Sequence, residues 1–143
     1  LEEVFDISGV SNIQLYFDLK GSMNLVNALI HFFNSVTVSK IQFKNIIIAS
    51  FNMIHIEKLY NYFPDISYGF ITGNNFESII YYHILRRKYI KFLSICWTML
   101  NTRTCNILHG MGIKIYTYTC ENDTILKHML RYNIDGIVTN YPI

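Results

Sequence analysis

The sequence predicts an α/β fold of parallel strand–helix units, and within that class a partial (β/α)8 TIM barrel: the last five or so units, with the N-terminal strands missing. Three observations carry this expectation. Apolar stripes of helical period alternate along the chain with short strand-like runs, the rhythm of β/α repeats joined by right-handed crossovers. The run at residues 45–51, NIIIASF, is apolar almost throughout, as in a strand covered on both faces. In residues 12–20, NIQLYFDLK, alternation instead places Gln14, Tyr16, Asp18 and Lys20 on one face and Ile13, Leu15, Phe17 and Leu19 on the other. An open doubly wound sheet would also suit 143 residues, but a barrel lumen near its C-terminal mouth tolerates a polar column that a two-sided sheet core does not. A complete barrel needs about 250 residues, so a barrel of this length lacks its front, and a first residue of Leu1 agrees.

The elements follow in order. Residues 1–7, LEEVFDI, read as the end of a short helix with its acids toward water. After the strand at 12–20, Val26, Leu29, Ile30 and Phe33 recur at i, i+3, i+4 and i+7, one buried face of a helix over about 22–36. The strand at 45–51 precedes a helix striped by Ile56, Leu59, Tyr60 and Phe63 and stopped by Pro64. Residues 67–73 make a third strand, and Phe76, Ile79, Ile80 and Ile84 a third helix whose end carries Arg86, Arg87 and Lys88, cations suited to a helix C-terminus. The apolar run at 91–98 reads as a strand by its length. Residues 103–111 are helical, with Gly112 as C-terminal cap. Residues 113–119, IKIYTYT, are β-branched and aromatic; Asn122 or Asp123 caps the next helix, buried through Leu126, Met129 and Leu130. The last strand covers 136–139.

Composition excludes several classes of function. Hydrophobic residues make up 51% of the chain, too many for disorder. A net charge of +2 with 15% charged residues gives no basic field for nucleic acid, and the eleven Tyr and ten Phe recur at core periods rather than among Lys and Arg. Cys96, Cys105 and Cys120 are odd in number and lack metal-type spacing, so buried, reduced thiols are expected rather than disulfides or zinc. No run of about 18 apolar residues and no signal segment appears.

Asp18 and Lys20 stand two residues apart on one strand face, their Cβ atoms about 7 Å apart and pointing the same way, and Gly21 then turns the chain into a loop. An ordinary ion pair at a strand end explains this spacing as well as two groups converging on one ligand do. If enclosed by the fold, both charges need partners.

Several segments together resemble one family, the glycerophosphodiester phosphodiesterases, whose fold is a phosphatidylinositol-phospholipase-C-like TIM barrel. Residues 1–5, LEEVF, resemble a helix start of that family, and residues 17–21, FDLKG, its strand carrying a metal-binding acid and a lysine. Ser50 and Phe51 resemble a serine–phenylalanine strand end. Residues 112–119, GIKIYTYT, resemble a strand that usually ends in tryptophan–threonine, and residues 134–142, IDGIVTNYP, the closing glycine–hydrophobic–threonine–aspartate–x–proline signature. Asp18 in place of the commoner Glu looks most like the eukaryotic branch. Tyr118 stands where tryptophan is usual and Asn140 where aspartate is usual.

The resemblance implies that residues 1–143 are the C-terminal portion of such a domain. It implies a metal-dependent phosphoric diester hydrolase that cleaves glycerophosphodiesters to glycerol phosphate and an alcohol in lipid metabolism. Asp18 would be a ligand of a divalent cation, Ca²⁺ or Mg²⁺, completed only by ligands upstream. Lys20 and Tyr118 would contact the substrate, Lys20 as a point charge against phosphodiester oxygens. The family's two catalytic histidines, in His-Arg-Gly and His-Asp motifs, have no counterpart here. His31, His55, His83, His109 and His128 all fall in expected helices and suit surface or interhelix hydrogen bonding. No catalytic residue is therefore assigned, and this stretch alone is expected to be inactive. Two other readings stand beside this one: a non-catalytic α/β module binding a partner or lipid headgroup, and a related phospholipase acting on a lysolipid. Localisation is open, as is membrane association through parent sequence outside the stretch.

Overall fold

The computed structural model describes residue 4 and residues 13–35, 43–73 and 86–141. Apart from residue 4, which is helical, the helix expected at residues 1–7 lies outside the described residues, as do the one striped by Phe76, Ile79, Ile80 and Ile84, and His83. The chain divides into two compact units, Leu1–Tyr68 and Gly69–Ile143.

In the first unit, β1 (Leu15–Leu19) runs parallel to β2 (Ile46–Ser50), with Asp18 opposite Ala49 and Leu19 opposite Ser50. Helix α1 (Met23–Ser35) buries Val26, Leu29, Ile30 and Phe33, the stripe its sequence spacing dictates. The ring of Phe33 lies edge-on to Phe17 of β1 at 6.4 Å, to Phe43 at 5.8 Å and to Phe63 at 5.2 Å, T-shaped contacts that favour one packing geometry beyond the area they bury. A single 3-10 turn, Phe43–Asn45, leads into β2, all five residues of which are buried. Helix α2 (Met53–Tyr62) starts where Asn52 accepts a hydrogen bond from the Ile54 N–H at 2.9 Å, and it ends at Phe63, ahead of Pro64. It buries His55, Ile56 and Leu59. Tyr60 is only half-buried and lies edge-on to Tyr68. The Tyr68 hydroxyl donates to the Phe63 carbonyl at 2.9 Å, and burial, with a smaller effect from Tyr60, raises its pKa well above the ordinary tyrosine range.

Strand β3 (Ser67–Thr72) carries the division between the units. In the second unit, β4 (Ile90–Cys96) settles the type of the apolar run at 91–98. Strand β4 is parallel to β5 (Lys114–Cys120), and β5 to β6 (Gly136–Thr139). Helix α3 (Thr102–Gly110) is capped by Asn101, whose side chain accepts from the Thr104 N–H at 2.8 Å. At its other end Gly112, at φ +74°, donates to the His109 carbonyl, and the Ile113 N–H reaches back to Leu108 O at 3.0 Å. This left-handed turn ends the helix as the glycine foretells. Helix α4 (Asp123–Met129) is capped by Asn122 rather than Asp123, through a bond from the Ile125 N–H. The sequence pattern puts Leu130 in the buried stripe, and the structure does not. Met129 is fully buried, but Leu130 is 63% exposed, because the helix is only seven residues long and Leu130 is already its C-cap.

One packing layer of this unit depends on two glycines. The rings of Phe92 and Tyr116 are stacked with centroids 4.7 Å apart. A Cβ on Gly69 would overlap the Phe92 ring, and one on Gly136 would lie 2.9 Å from Tyr116 Cδ1. The stack fills the space that two missing methyl groups leave.

Candidate functional site

Alternation along β1 sends its two faces to different surroundings. Phe17 meets Phe33 of α1 and Leu19 is buried, so this face is the helix-covered one. Tyr16, Asp18 and Lys20 project from the opposite face, at the C-terminal end of the strand. Lys20 Nζ lies 2.8 Å from Asp18 Oδ2, with the lysine side chain 72% and the aspartate side chain 37% exposed. The structure thus brings the two together, but not in a low-dielectric enclosure. Solvent access makes the pair worth about 0–1 kcal/mol and leaves both groups free to exchange partners. Gly21, at φ +119°, takes the chain sharply out of the strand behind them.

The end of β2 supports this turn from behind. The Ser50 hydroxyl donates to the Leu19 carbonyl at 3.0 Å and accepts from the Asn52 N–H at 3.1 Å, with His55 Nδ1 at 3.4 Å. Sequence reasoning missed this connection. Its one local signal is a hydroxyl ending an otherwise apolar buried run, a group that must find a partner.

The second unit holds Tyr118. Its hydroxyl donates to the Thr72 carbonyl, and the Thr72 hydroxyl donates to Ser94 O at 3.4 Å, so three successive strands are tied together. At the ends of β5 and β6, Thr139 Oγ1 donates to the Cys120 carbonyl at 2.8 Å and accepts from the Tyr141 N–H at 3.1 Å. A cleft of about 230 Å³ opens there, lined by residues that include Cys120, Asn122, Leu126, Thr139 and Tyr141. Asn140 is exposed beside it.

Four of the five histidines are described, and all four sit in helices. His31 is exposed, His55 is buried, and the His128 ring lies between Trp97 at 5.6 Å and Tyr132 at 5.4 Å. His109 Nε2 donates to Asp135 Oδ2 at 2.8 Å, and the Asn133 side-chain amide lies 3.2 Å from Nδ1. Asp135 also accepts from the Ile115 N–H at 2.8 Å. Partial burial raises the Asp135 pKa, but the hydrogen bonds from His109 and Ile115, helped by the charges of His109 and Lys114, outweigh it and leave the carboxyl below its ordinary 3.8. A depressed carboxyl stabilises the fold fully above its unfolded pKa and loses that contribution as pH falls through the folded value. Asp135→Asn is therefore expected to reduce stability near neutrality by on the order of 1 kcal/mol. It should also flatten the decline in stability below about pH 4, read from urea midpoints across pH.

A divalent cation at Asp18 meets a plain limit. Among the described residues no group of three or more His, Cys, Asp or Glu could hold a metal ion. Asp18 offers one hard, solvent-accessible carboxylate where Ca²⁺ or Mg²⁺ takes six or more oxygens. It fits the part of a single ligand, and the described residues do not make a site by themselves. Cys96, Cys105 and Cys120 are free thiols, two of them buried. No helix among the described residues is long and apolar enough to cross a membrane.

The parallel β/α units thus place a charged pair at the C-terminal end of a strand, where barrels of this class carry their sites. No family model matches the chain. It is 26% identical over 99 residues to the Bacillus subtilis protein YhdW, named as a glycerophosphodiester phosphodiesterase, covering 68% of this chain and 41% of that protein. In structure it resembles a glycerophosphoryl diester phosphodiesterase of Silicibacter pomeroyi, with a TM-score of 0.81 and 17% identity over 99% of this chain and 52% of that one. An Oleispira antarctica phosphodiesterase, solved with the product sn-glycerol-3-phosphate, gives 0.80 and 15% over 99% and 57%. A Galdieria sulphuraria glycerophosphodiester phosphodiesterase gives 0.79 and 17% over 99% and 59%. The chain thus spans about half the length of the relatives it matches. The fold is a partial (β/α)8 barrel. The curated relative is named as a glycerophosphodiester phosphodiesterase, the solved structures share the fold, and the partial coverage fits the C-terminal part that the sequence led us to expect.

Proposed function

We propose that the chain carries the rear half of the site of a metal-dependent phosphoric diester hydrolase that cleaves glycerophosphodiesters to glycerol phosphate and an alcohol. The observation that carries this reading is the exposed Asp18–Lys20 pair at the C-terminal end of β1, on the face away from the helices, where active sites of such barrels are built. Lys20 donates to the non-bridging oxygens of the phosphodiester and offsets charge that grows on them in the transition state. It reaches them by exchanging the Asp18 carboxylate for the phosphate, an exchange that an exposed ion pair permits at little cost. Asp18 then serves as one oxygen ligand of a divalent cation whose other ligands lie elsewhere in the whole protein. When bound, such a cation supplies Lewis-acid stabilisation of phosphoryl oxygens.

Tyr118 commits its hydroxyl to the Thr72 carbonyl of its own unit, so its proposed contact with substrate rests on the resemblance of residues 112–119 alone. Proton transfer is left to groups outside this stretch. His55 is buried, and both nitrogens of His109 have partners. The product held by the Oleispira enzyme supports glycerol phosphate as the recognised end of the substrate.

The test is a panel of glycerophosphocholine, glycerophosphoinositol and lysophosphatidylcholine, given to the whole protein with Ca²⁺, with Mg²⁺ and with chelator. Release of glycerol phosphate from the first two, abolished by chelator, is expected. Turnover of the lysolipid alone would assign the site to a phospholipase, and turnover of none would favour a non-catalytic module. Residues 1–143 assayed alone are expected to be inactive.

A further inference from the structure

We infer that Ser50 and His55 are positioning residues for the reaction, holding from behind the peptide that aims Asp18 and Lys20; this rests on the hydrolase reading above. Asp18 and Lys20 share one face of β1, and the carbonyl between them belongs to Leu19, whose side chain points the other way. That carbonyl accepts the Ser50 hydroxyl at 3.0 Å across a separation of 31 residues. Because Leu19 and Ser50 are register partners in the parallel ladder, the bond closes the last step of the β1–β2 pairing, just before Gly21 turns away.

The hydroxyl itself is held on two further sides. The Asn52 N–H donates to it at 3.1 Å, and His55 Nδ1 lies 3.4 Å away, from the first turn of α2. The same Asn52 caps that helix, so the strand end, the loop and the helix start form one hydrogen-bonded unit. Ser50 is 1% and His55 5% exposed. With its proton given to Leu19 O and no path to solvent, Ser50 is not a nucleophile, despite a histidine beside it. What the arrangement does is fix the Leu19–Lys20 peptide plane. The direction of the Lys20 side chain follows from that plane, and with it the spacing of the ammonium from the Asp18 carboxylate. Displacing a reacting group by about 1 Å costs on the order of 100-fold in rate.

The experiment compares Ser50→Ala, Ser50→Thr and His55→Gln with Asp18→Asn in the whole protein, assayed on glycerophosphocholine, with urea midpoints measured in parallel. As a structural control, Ile56→Val removes a methylene from the same helix turn without touching the hydrogen bonds. Ser50→Ala is expected to lower kcat about 10- to 100-fold with KM within about threefold. Ser50→Thr, which restores the hydroxyl, should recover most of that loss, and His55→Gln should fall between them. Ile56→Val should lose stability without the kcat effect. If Ser50→Ala fails to fold, His55→Gln carries the same comparison. Wild-type kcat in both Ser50→Ala and His55→Gln, or losses that merely track the urea midpoint as in Ile56→Val, would overturn the positioning role while leaving the hydrolase reading intact. Full turnover by Asp18→Asn would remove Asp18 from the site and overturn the positioning role with it, whereas no turnover by the unmutated whole protein would overturn the hydrolase reading.

Discussion

Asp18→Asn, made in the whole protein, is expected to lower turnover of a glycerophosphodiester about 100- to 1,000-fold while moving the urea midpoint hardly at all. The two halves of this expectation come from one geometry. The carboxylate is more than one-third exposed and its described partner is an even more exposed lysine, so removing its charge sacrifices an ion pair worth at most about 1 kcal/mol. The substituted amide has the same shape and still occupies the strand end. What disappears is a full negative charge at the strand end. In the proposed site that charge anchors a divalent cation through oxygen, a role that a neutral amide fills poorly. Steady-state kinetics over a range of Ca²⁺ and Mg²⁺ concentrations separate the cases. A raised metal requirement with a depressed kcat supports the ligand role. Unchanged kcat and metal dependence remove Asp18 from the site, and a fall in activity matched by a fall in stability makes it structural.

The largest effect on the fold is expected from Gly69→Ala. A methyl at that position would overlap the Phe92 ring, and Phe92 has nowhere to yield. It is 1% exposed and stacked on Tyr116, whose own ring abuts Gly136. Relief must come from shifting β3 or expelling an aromatic ring from its rotamer, which puts the cost near the upper end for overpacked cores, about 3 kcal/mol. Domains have only about 5–15 kcal/mol in total, so the variant should show a sharply lowered urea midpoint and poor soluble yield. Adding Phe92→Leu should restore part of the loss, because the smaller side chain vacates the contested space. If Gly69→Ala alone is as stable as wild type, the glycine-flanked stack does not limit packing there.

Much of the fold is legible in the sequence where a single period acts without interruption. The stripe of Val26, Leu29, Ile30 and Phe33 is buried as its spacing requires, and Gly112 ends its helix through the positive φ that glycine adopts most readily. Alternation alone also places Asp18 and Lys20 on one face. Alternation says nothing about what lies opposite that face, and so the pair's mutual contact and its exposure come only from the structure. Periodicity places Leu130 in the buried stripe because it continues past the end of a helix that the chain itself stops after Met129. The Ser50–Leu19 bond was invisible because its partners are 31 residues apart, and a hydroxyl in an apolar run shows only that some acceptor must exist. The same holds for Tyr118. Its aromatic ring was legible, but the commitment of its hydroxyl to Thr72 depends on strands meeting in space.

The chain has one tryptophan, and Trp97 follows β4 in the second unit, its ring edge-on to His128. Indole emission is therefore a private reporter of the segment from Gly69 onward, silent about the phenylalanine cluster around Phe33. A denaturation curve followed by emission and one followed by far-ultraviolet dichroism will coincide only if both units melt in a single cooperative step. This spectroscopic asymmetry, supplied by the natural sequence, lets the two units be timed separately without a label.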